Sequence, residues 1–142
     1  MTGRPRGDDG NALVEFTYLA ILLMVPLVYV LLSTFQVQRA AFGVTEAARQ
    51  AGRAYARSGS EQEGAARAGA AARLALADQG LIDGPGPTIT CLGGPCLSPG
   101  SRVRTTVTYR VRLPLLGRVL GGGGGTIPVT AVHTDHVDTY RG

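Results

Sequence analysis

The chain has 142 residues, 21 glycines, eight prolines and a formal net charge of +4, which suits one small domain with an additional element. All of its basic residues are arginines, spread along the chain, and Tyr55 is the one aromatic residue near the helical arginines. Because nucleic-acid binders interleave cations with stacking aromatics, this pattern argues against nucleic acid as a partner.

The first predicted element is an apolar run from Ala12 to Phe35, which follows a polar leader ending in Gly10. Its 24 residues exceed the roughly 20 that cross a bilayer as a helix and the roughly 7–15 of a secretory signal. Pro26 removes one helical hydrogen bond and predicts a kink. We therefore predict a retained single-pass anchor in the cell membrane over residues 11–36.

Glu15 is the one charged residue inside this run. A charge at mid-bilayer costs about 2.5–3.5 kcal/mol on insertion scales, and less near the end of the span. One interpretation is an interfacial carboxylate whose side chain reaches water. The other is a carboxylate placed to meet a positive charge, and the surrounding residues favour it.

The junction between leader and run resembles a type IV prepilin. A polar leader, MTGRPRGDDG, ends in Gly10, and cleavage there would make Asn11 the first residue and Glu15 the fifth. The Glu15–Phe16 pair and the short Ala-containing approach are similar to the Tad subclass, and to TadE-like proteins in particular. The leader is then residues 1–10.

The resemblance implies a minor pseudopilin-like subunit in a Tad-type pilus or related secretion apparatus. It implies that a prepilin peptidase cleaves between Gly10 and Asn11, and that Glu15 and Phe16 act in subunit docking. The Asn11 amine and Glu15 would pair between subunits. The implied partners are the membrane, other pilin-like subunits and pilus assembly proteins. The implied orientation has a cytoplasmic N-terminus and an extracytoplasmic C-terminal domain, which the flanking arginines do not establish.

An extracytoplasmic helical region is predicted over residues 37–80. Its first part carries an amphipathic stripe whose apolar members are Val44, Ala47, Ala48, Ala51 and Tyr55. This face packs either against the chain's own sheet or against a neighbouring subunit. Ser60 and Glu63 predict a capping box for a second helix that stops at Gly80. Alternatively, this helix continues the first one with a bend.

A small β-rich domain is predicted over residues 81–142. Thr88–Thr90 is a short strand, Arg102–Leu113 alternates strictly between apolar residues and arginine or threonine, and Thr126–Tyr140 is a longer strand. The glycine-rich connection ending at Gly121–Gly125 is a predicted loop. The predicted fold is α+β: a long N-terminal transmembrane and amphipathic helix, followed by a three-stranded antiparallel sheet packed on it, as in pilins.

Cys91 and Cys96 predict a disulfide, since export through the membrane would place them in an oxidising compartment.

No other motif predicts a cofactor or metal. His133 and Asp135 should face one side of their strand while His136 and Asp138 face the other, so a solvated strand end is the favoured interpretation. No nucleophile, base and orienting group occur together, and we expect no enzyme. The main alternative function is an uncleaved single-pass membrane protein whose outer domain binds a ligand or partner; a membrane-tethered enzyme is a weaker third.

Overall fold

The computed structural model describes residues 9–113 and 125–140. It has an α+β fold of two helices and a three-stranded antiparallel sheet, as predicted. The chain divides between Phe35 and Gln36 into two compact units. The second unit, called the globular unit below, contains all of the elements except the N-terminal part of the first helix.

Helix α1 runs from Asp9 to Ala56 and continues through Pro26. It begins slightly earlier than the predicted start at Ala12. In the globular unit its predicted apolar stripe is buried in the chain's own core. The stripe consists of Val44, Ala47, Ala48, Ala51 and Tyr55, each no more than 4% exposed.

Helix α2 runs from Glu61 to Asp78, so the second helix is separate from the first. The Ser60 hydroxyl accepts a hydrogen bond from the Glu63 amide at 3.3 Å, which is half of the predicted capping box. The Glu63 carboxylate accepts instead from the Gly59 amide, one residue before the cap, at 3.1 Å.

The end of α2 is closed by a Schellman motif at the predicted stop, Gly80. The Leu81 amide donates to the Leu76 carbonyl at 2.9 Å, and the Gly80 amide donates to the Ala77 carbonyl at 2.8 Å. Gly80 has a φ of +69°, the left-handed conformation that this motif needs and that glycine adopts without strain.

The sheet has the order β1–β2–β3, with β1 at Thr88–Leu92, β2 at Arg102–Arg112 and β3 at Thr126–His136. Both pairs are antiparallel; Thr105 lies opposite Ile89 on one side and His133 on the other. The predicted alternation of β2 is confirmed: Val103, Thr105, Val107 and Val111 are buried, while its four arginines are exposed. Strand β1 reaches only as far as Thr106, so β2 extends beyond its partner on that side.

Strand β3 ends at His136, four residues before the predicted end at Tyr140. The Val137 amide donates to the Ser101 carbonyl at 2.9 Å, and Val137 is buried. Asp138 accepts a hydrogen bond from the Tyr140 amide at 2.9 Å, which forms an Asx turn. Most of the predicted glycine-rich connection, residues 114–124, lies outside the described residues.

One core joins the predicted helical and β-rich regions. Most of its members are small: they are alanines from both helices, valines from α1 and β2, Val137 and Cys96, and the larger members are Tyr55 and Leu76. Small side chains bring backbones close together, and Gly64 on α2 illustrates how close. A β-carbon there would lie 2.9 Å from Cδ2 of Tyr55, within the range where something must move.

Candidate membrane anchor and processing site

The N-terminal part of α1 exposes a continuous apolar surface. From Leu13 to Phe35 its leucine, isoleucine, valine, methionine and phenylalanine side chains are 45–72% exposed. Fully exposing such side chains rather than burying them costs about 1.5–3 kcal/mol each. The helix is long and apolar enough to cross a membrane, which would supply the missing apolar surroundings.

The threonines of this segment direct their hydroxyls back to the helix. Thr17 donates to the Leu13 carbonyl and Thr34 donates to the Val30 carbonyl, each at 2.8 Å. A hydroxyl that bonds the carbonyl four residues earlier leaves no donor facing outward. This is the arrangement that a helix in lipid requires of its polar side chains.

The predicted cleavage site lies in the first turn of α1. Gly10 and Asn11 immediately follow Asp9, where the helix begins, so the bond between them is in helical backbone. Amides of the first turn have no partner within the helix, and such ends fray readily. The bond between Gly10 and Asn11 therefore lies where little helix would have to unwind for the backbone to become extended.

Glu15 and Phe16 follow one turn later and are exposed. Phe16 is 72% exposed. Among the described residues, the ion pairs closer than 4 Å are Arg67–Glu63 and His133–Asp135, and neither involves Glu15. The Glu15 carboxyl group thus lies in the apolar run of α1, without a cation from the described part of its own chain.

Cys91 and Cys96 form a disulfide, as predicted, with their Cα atoms 4.8 Å apart. Cys91 is exposed on β1 and Cys96 is buried in the core. Between them Gly93 and Gly94 have φ values of +88° and +136°, so glycine permits the tight reversal. Ser101 ties this loop to the start of β2 by donating its hydroxyl to the Cys96 carbonyl at 2.8 Å.

The histidine-containing strand end is arranged as its alternation predicts. His133 and Asp135 lie on the half-buried face of β3, 3.5 Å apart, and His136 lies on the exposed face. Asp138 lies beyond the strand, in its turn. In residues 9–113 and 125–140, no group of three or more histidine, cysteine or acidic side chains is placed to hold a metal.

Sequence reasoning missed a contact beneath this strand end. A β-carbon at Gly52 of α1 would overlap Oδ2 of Asp135 and lie 3.1 Å from Oγ1 of Thr105. Both of those oxygens are buried and lack a hydrogen-bond partner within the described chain. A glycine inside an alanine-rich stripe is the signal that a close neighbour exists, but it does not identify that neighbour.

Sequence reasoning also missed a groove bordered by three arginines. Arg39 of α1 and two arginines of β2, Arg110 and Arg112, line one groove. The alternation of β2 places its arginines on the exposed face of the sheet, and the sequence does not predict that Arg39 borders the same groove.

Comparison of the chain with models of known protein families, with characterised proteins and with solved structures finds no match. The resemblance to TadE-like proteins therefore rests on the residues from Gly10 to Phe16 and on the general layout of the chain.

Proposed function

We propose that this chain is a minor pseudopilin-like subunit in the assembly of a Tad-type pilus or a related secretion apparatus. The observation that carries the proposal is Glu15, a carboxylate near the start of an otherwise apolar run, five residues after Gly10. The continuity of that helix with a small α+β unit supports it, because pilin-type subunits combine these parts in one chain.

Cleavage after Gly10 would create a positive charge that can pair with the Glu15 carboxylate. The new amine at Asn11 lies four residues before Glu15, in the first turn of α1. A nearby cation stabilises a carboxylate in an apolar medium. The amine of a neighbouring subunit can supply that cation, so the pair would form as subunits join and would favour assembly over the dispersed anchor.

The disulfide supports an extracytoplasmic position for the globular unit. Structural disulfides persist in oxidising compartments and are rare in the cytosol. In intact cells the pair Cys91–Cys96 should resist thiol labelling until reductant is added. Labelling of both cysteines without reductant would place the globular unit on the reducing side and contradict the proposed orientation.

Glu15→Ala tests the docking role, with Glu46→Ala as its matched control. Glu46 lies on the same helix beyond the apolar run and contacts Gln50 within its own chain at 2.6 Å. Glu15→Ala should insert into the membrane as well as the parent chain or better, because it removes a charge from lipid. Its recovery in the assembled apparatus should fall at least about tenfold, equivalent to about 1.4 kcal/mol.

A further variant, Gly10→Val, separates docking from processing. Glu15→Ala should still be cleaved after Gly10, whereas Gly10→Val should accumulate with its leader, because a branched side chain replaces the unhindered glycine. If Glu15→Ala assembled as well as Glu46→Ala, Glu15 would be an interfacial carboxylate reaching water, and the docking role would be wrong.

The alternative is an uncleaved single-pass membrane protein whose outer unit binds a ligand or partner. The groove lined by Arg39, Arg110 and Arg112 is the observation that favours it. This function needs no processing, so Gly10→Val would leave it intact.

A further inference from the structure

We propose that the free edge of β2 binds an extended peptide segment of a partner protein, which adds to the sheet as a further strand. The segment that fits has acidic side chains on the exposed face of the sheet and apolar side chains on the opposite face. This inference concerns the globular unit alone, so it depends neither on membrane anchoring nor on pilus assembly.

The hydrogen bonds at the two ends of the β2–β3 pair show which backbone groups of β2 point away from β3. The Leu113 amide donates to the Gly125 carbonyl, and the Val137 amide donates to the Ser101 carbonyl, each at 2.9 Å. The register between those ends is continuous, and in an antiparallel pair every second residue bonds its partner. The odd-numbered residues of β2 therefore bond β3, and the even-numbered residues direct their N–H and C=O groups to the other side.

Strand β1 covers one part of that other side. Its pairing with β2 ends where Thr88 lies opposite Thr106. Beyond this point the outward N–H and C=O groups of Thr108, Arg110 and Arg112 form no hydrogen bond with the described part of the chain. We call these six groups the open edge; they extend over about 13 Å, which suits an added strand of about five residues. Unpaired groups in such a row are a template for another strand.

A groove lies beside the open edge. Its volume is about 1000 Å³, and its lining includes residues 108–112 of β2 and residues 81–83 of the segment that leads into β1. Tyr109, on the same face of β2 as the buried valines, donates its hydroxyl to the Ile82 carbonyl at 3.4 Å. Ile82 is 73% exposed and Leu81 is half-buried. Apolar side chains on this face of an added strand would therefore have apolar neighbours.

The exposed face of the open edge favours acidic side chains. Arg110 and Arg112 lie on that face, and their neighbours across the β2–β3 pair are Pro128 and Thr126. Neither arginine forms an ion pair within 4 Å in residues 9–113 and 125–140. A strand at the open edge would place every second side chain directly across from an even-numbered residue of β2, where opposite charges stabilise a sheet. Each of the two arginines would then meet a carboxylate of its own.

The outer edge of β3 is also unpaired within the described ranges, but it lacks both of these features. Pro128, an even-numbered residue whose backbone faces outward, has no N–H to donate there. The even-numbered side chains from Thr130 to His136, which would adjoin an added strand, include no arginine. The groove touches β3 at Thr126 alone among the described residues. These differences assign the added strand to β2.

Arg102 and Arg104 provide a matched control on the same strand and the same face. Their neighbours on the β1 side, Leu92 and Thr90, are already in place. Arg102→Gln/Arg104→Gln therefore removes two charges without altering the open edge, whereas Arg110→Gln/Arg112→Gln removes two charges at that edge. All four arginines are exposed, so circular dichroism of both double variants should match that of the parent chain.

The probe is a fluorescently labelled seven-residue peptide in which valine and glutamate alternate. It is added to the full chain in detergent micelles, and fluorescence anisotropy measures the dissociation constant. The parent chain and Arg102→Gln/Arg104→Gln should differ by less than about twofold. Arg110→Gln/Arg112→Gln should bind about tenfold more weakly, because two cross-strand charge pairs are lost. A peptide with lysine in place of glutamate should bind more weakly than the parent peptide.

Methylation of the peptide's backbone nitrogens tests the strand geometry. In an added strand, the residues whose side chains lie on the exposed face are those whose backbone groups face β2, so the glutamates supply the hydrogen bonds. N-methylation of the glutamates should weaken binding about a hundredfold. N-methylation of the valines, whose N–H groups point away from β2, should change it by less than about threefold.

Four results would overturn the proposal. Absence of binding by the parent chain up to about 1 mM peptide would show that the open edge accepts no such strand. Equal weakening by the two double variants would indicate general charge attraction. Binding that does not respond to Arg110→Gln/Arg112→Gln would place the peptide elsewhere, as on the outer edge of β3. Equal effects of the two methylation patterns would show that the peptide does not bind as a strand.

Discussion

The two units of this chain treat apolar side chains in opposite ways. Between Leu13 and Phe35 the large ones are 45–72% exposed, whereas the core of the globular unit is built mainly from alanine and valine, with Leu76 as its largest fully buried aliphatic side chain. The large apolar residues are exposed in one unit and the small ones are buried in the other, so the two units are suited to different surroundings. The first unit needs apolar surroundings from outside the chain, and the second provides its own.

The largest expected effect on the free energy of unfolding comes from replacing leucine by alanine at buried and at exposed positions. Leu76→Ala empties a buried site on α2, where Leu76 is 1% exposed, and should lower the free energy of unfolding of the globular unit by about 2–5 kcal/mol. Leu74→Ala, on the same helix but 67% exposed, and Leu22→Ala, 56% exposed in the apolar run, should each change it by less than about 0.5 kcal/mol.

Urea denaturation of the full chain in detergent, followed by circular dichroism, measures these differences. Equal losses for Leu74→Ala and Leu76→Ala would contradict the buried face that the structure gives to α2.

A smaller effect tests how closely the helices of the globular unit approach each other. Gly64→Ala places a methyl group 2.9 Å from the Tyr55 ring and should cost about 1–2 kcal/mol, even though alanine favours the helix by about 1 kcal/mol. Gly69→Ala meets only the end of the Arg73 side chain, at 3.4 Å, and should stabilise by about 0.5–1 kcal/mol. Opposite signs in thermal unfolding are the expected result; stabilisation by both would mean that Gly64 is not a close contact.

The smallest effect appears only at alkaline pH. Burial of Tyr55, and then the negative charge of Glu61, raises the pKa of the Tyr55 hydroxyl above the usual tyrosine value of about 10. The folded state holds this proton more tightly than the unfolded state. The resulting stability is complete below about pH 10 and is lost as pH rises through the folded pKa.

Tyr55→Phe should remove this part of the alkaline loss, while Tyr140→Phe, which changes a residue that is 94% exposed, should not. Stability measured from pH 8 to pH 11 distinguishes the two. An unchanged alkaline slope in Tyr55→Phe would show that Tyr55 does not contribute to it.

The sequence predicted which face of each element is buried more reliably than which elements meet. The α1 stripe and the alternation of β2 follow from periods of 3.6 and 2, and both are confirmed because burial on one face leaves that period in the residues. The stop of α2 at Gly80 was predictable since a left-handed residue there favours glycine.

Other features depend on tertiary contacts that no local pattern encodes. The amphipathic pattern of α1 did not indicate whether a sheet or a second subunit covers its apolar face. The structure places that face in the chain's own core. The approach of Asp135 to Gly52 joins residues that are distant in sequence, and so does the groove that Arg39 and the end of β2 both border. The end of β3 was predicted too late because Val137 continues the backbone bonding to Ser101 after the strand has ended.

The mass of the mature N-terminal peptide tests the central claim most directly. The proposed pseudopilin-like subunit begins at Asn11, so peptide mass spectrometry of the protein recovered from the assembled apparatus should find Asn11 as its first residue and no leader. Recovery of the assembled protein with Met1–Gly10 still attached would contradict prepilin-type processing and favour an uncleaved single-pass membrane protein.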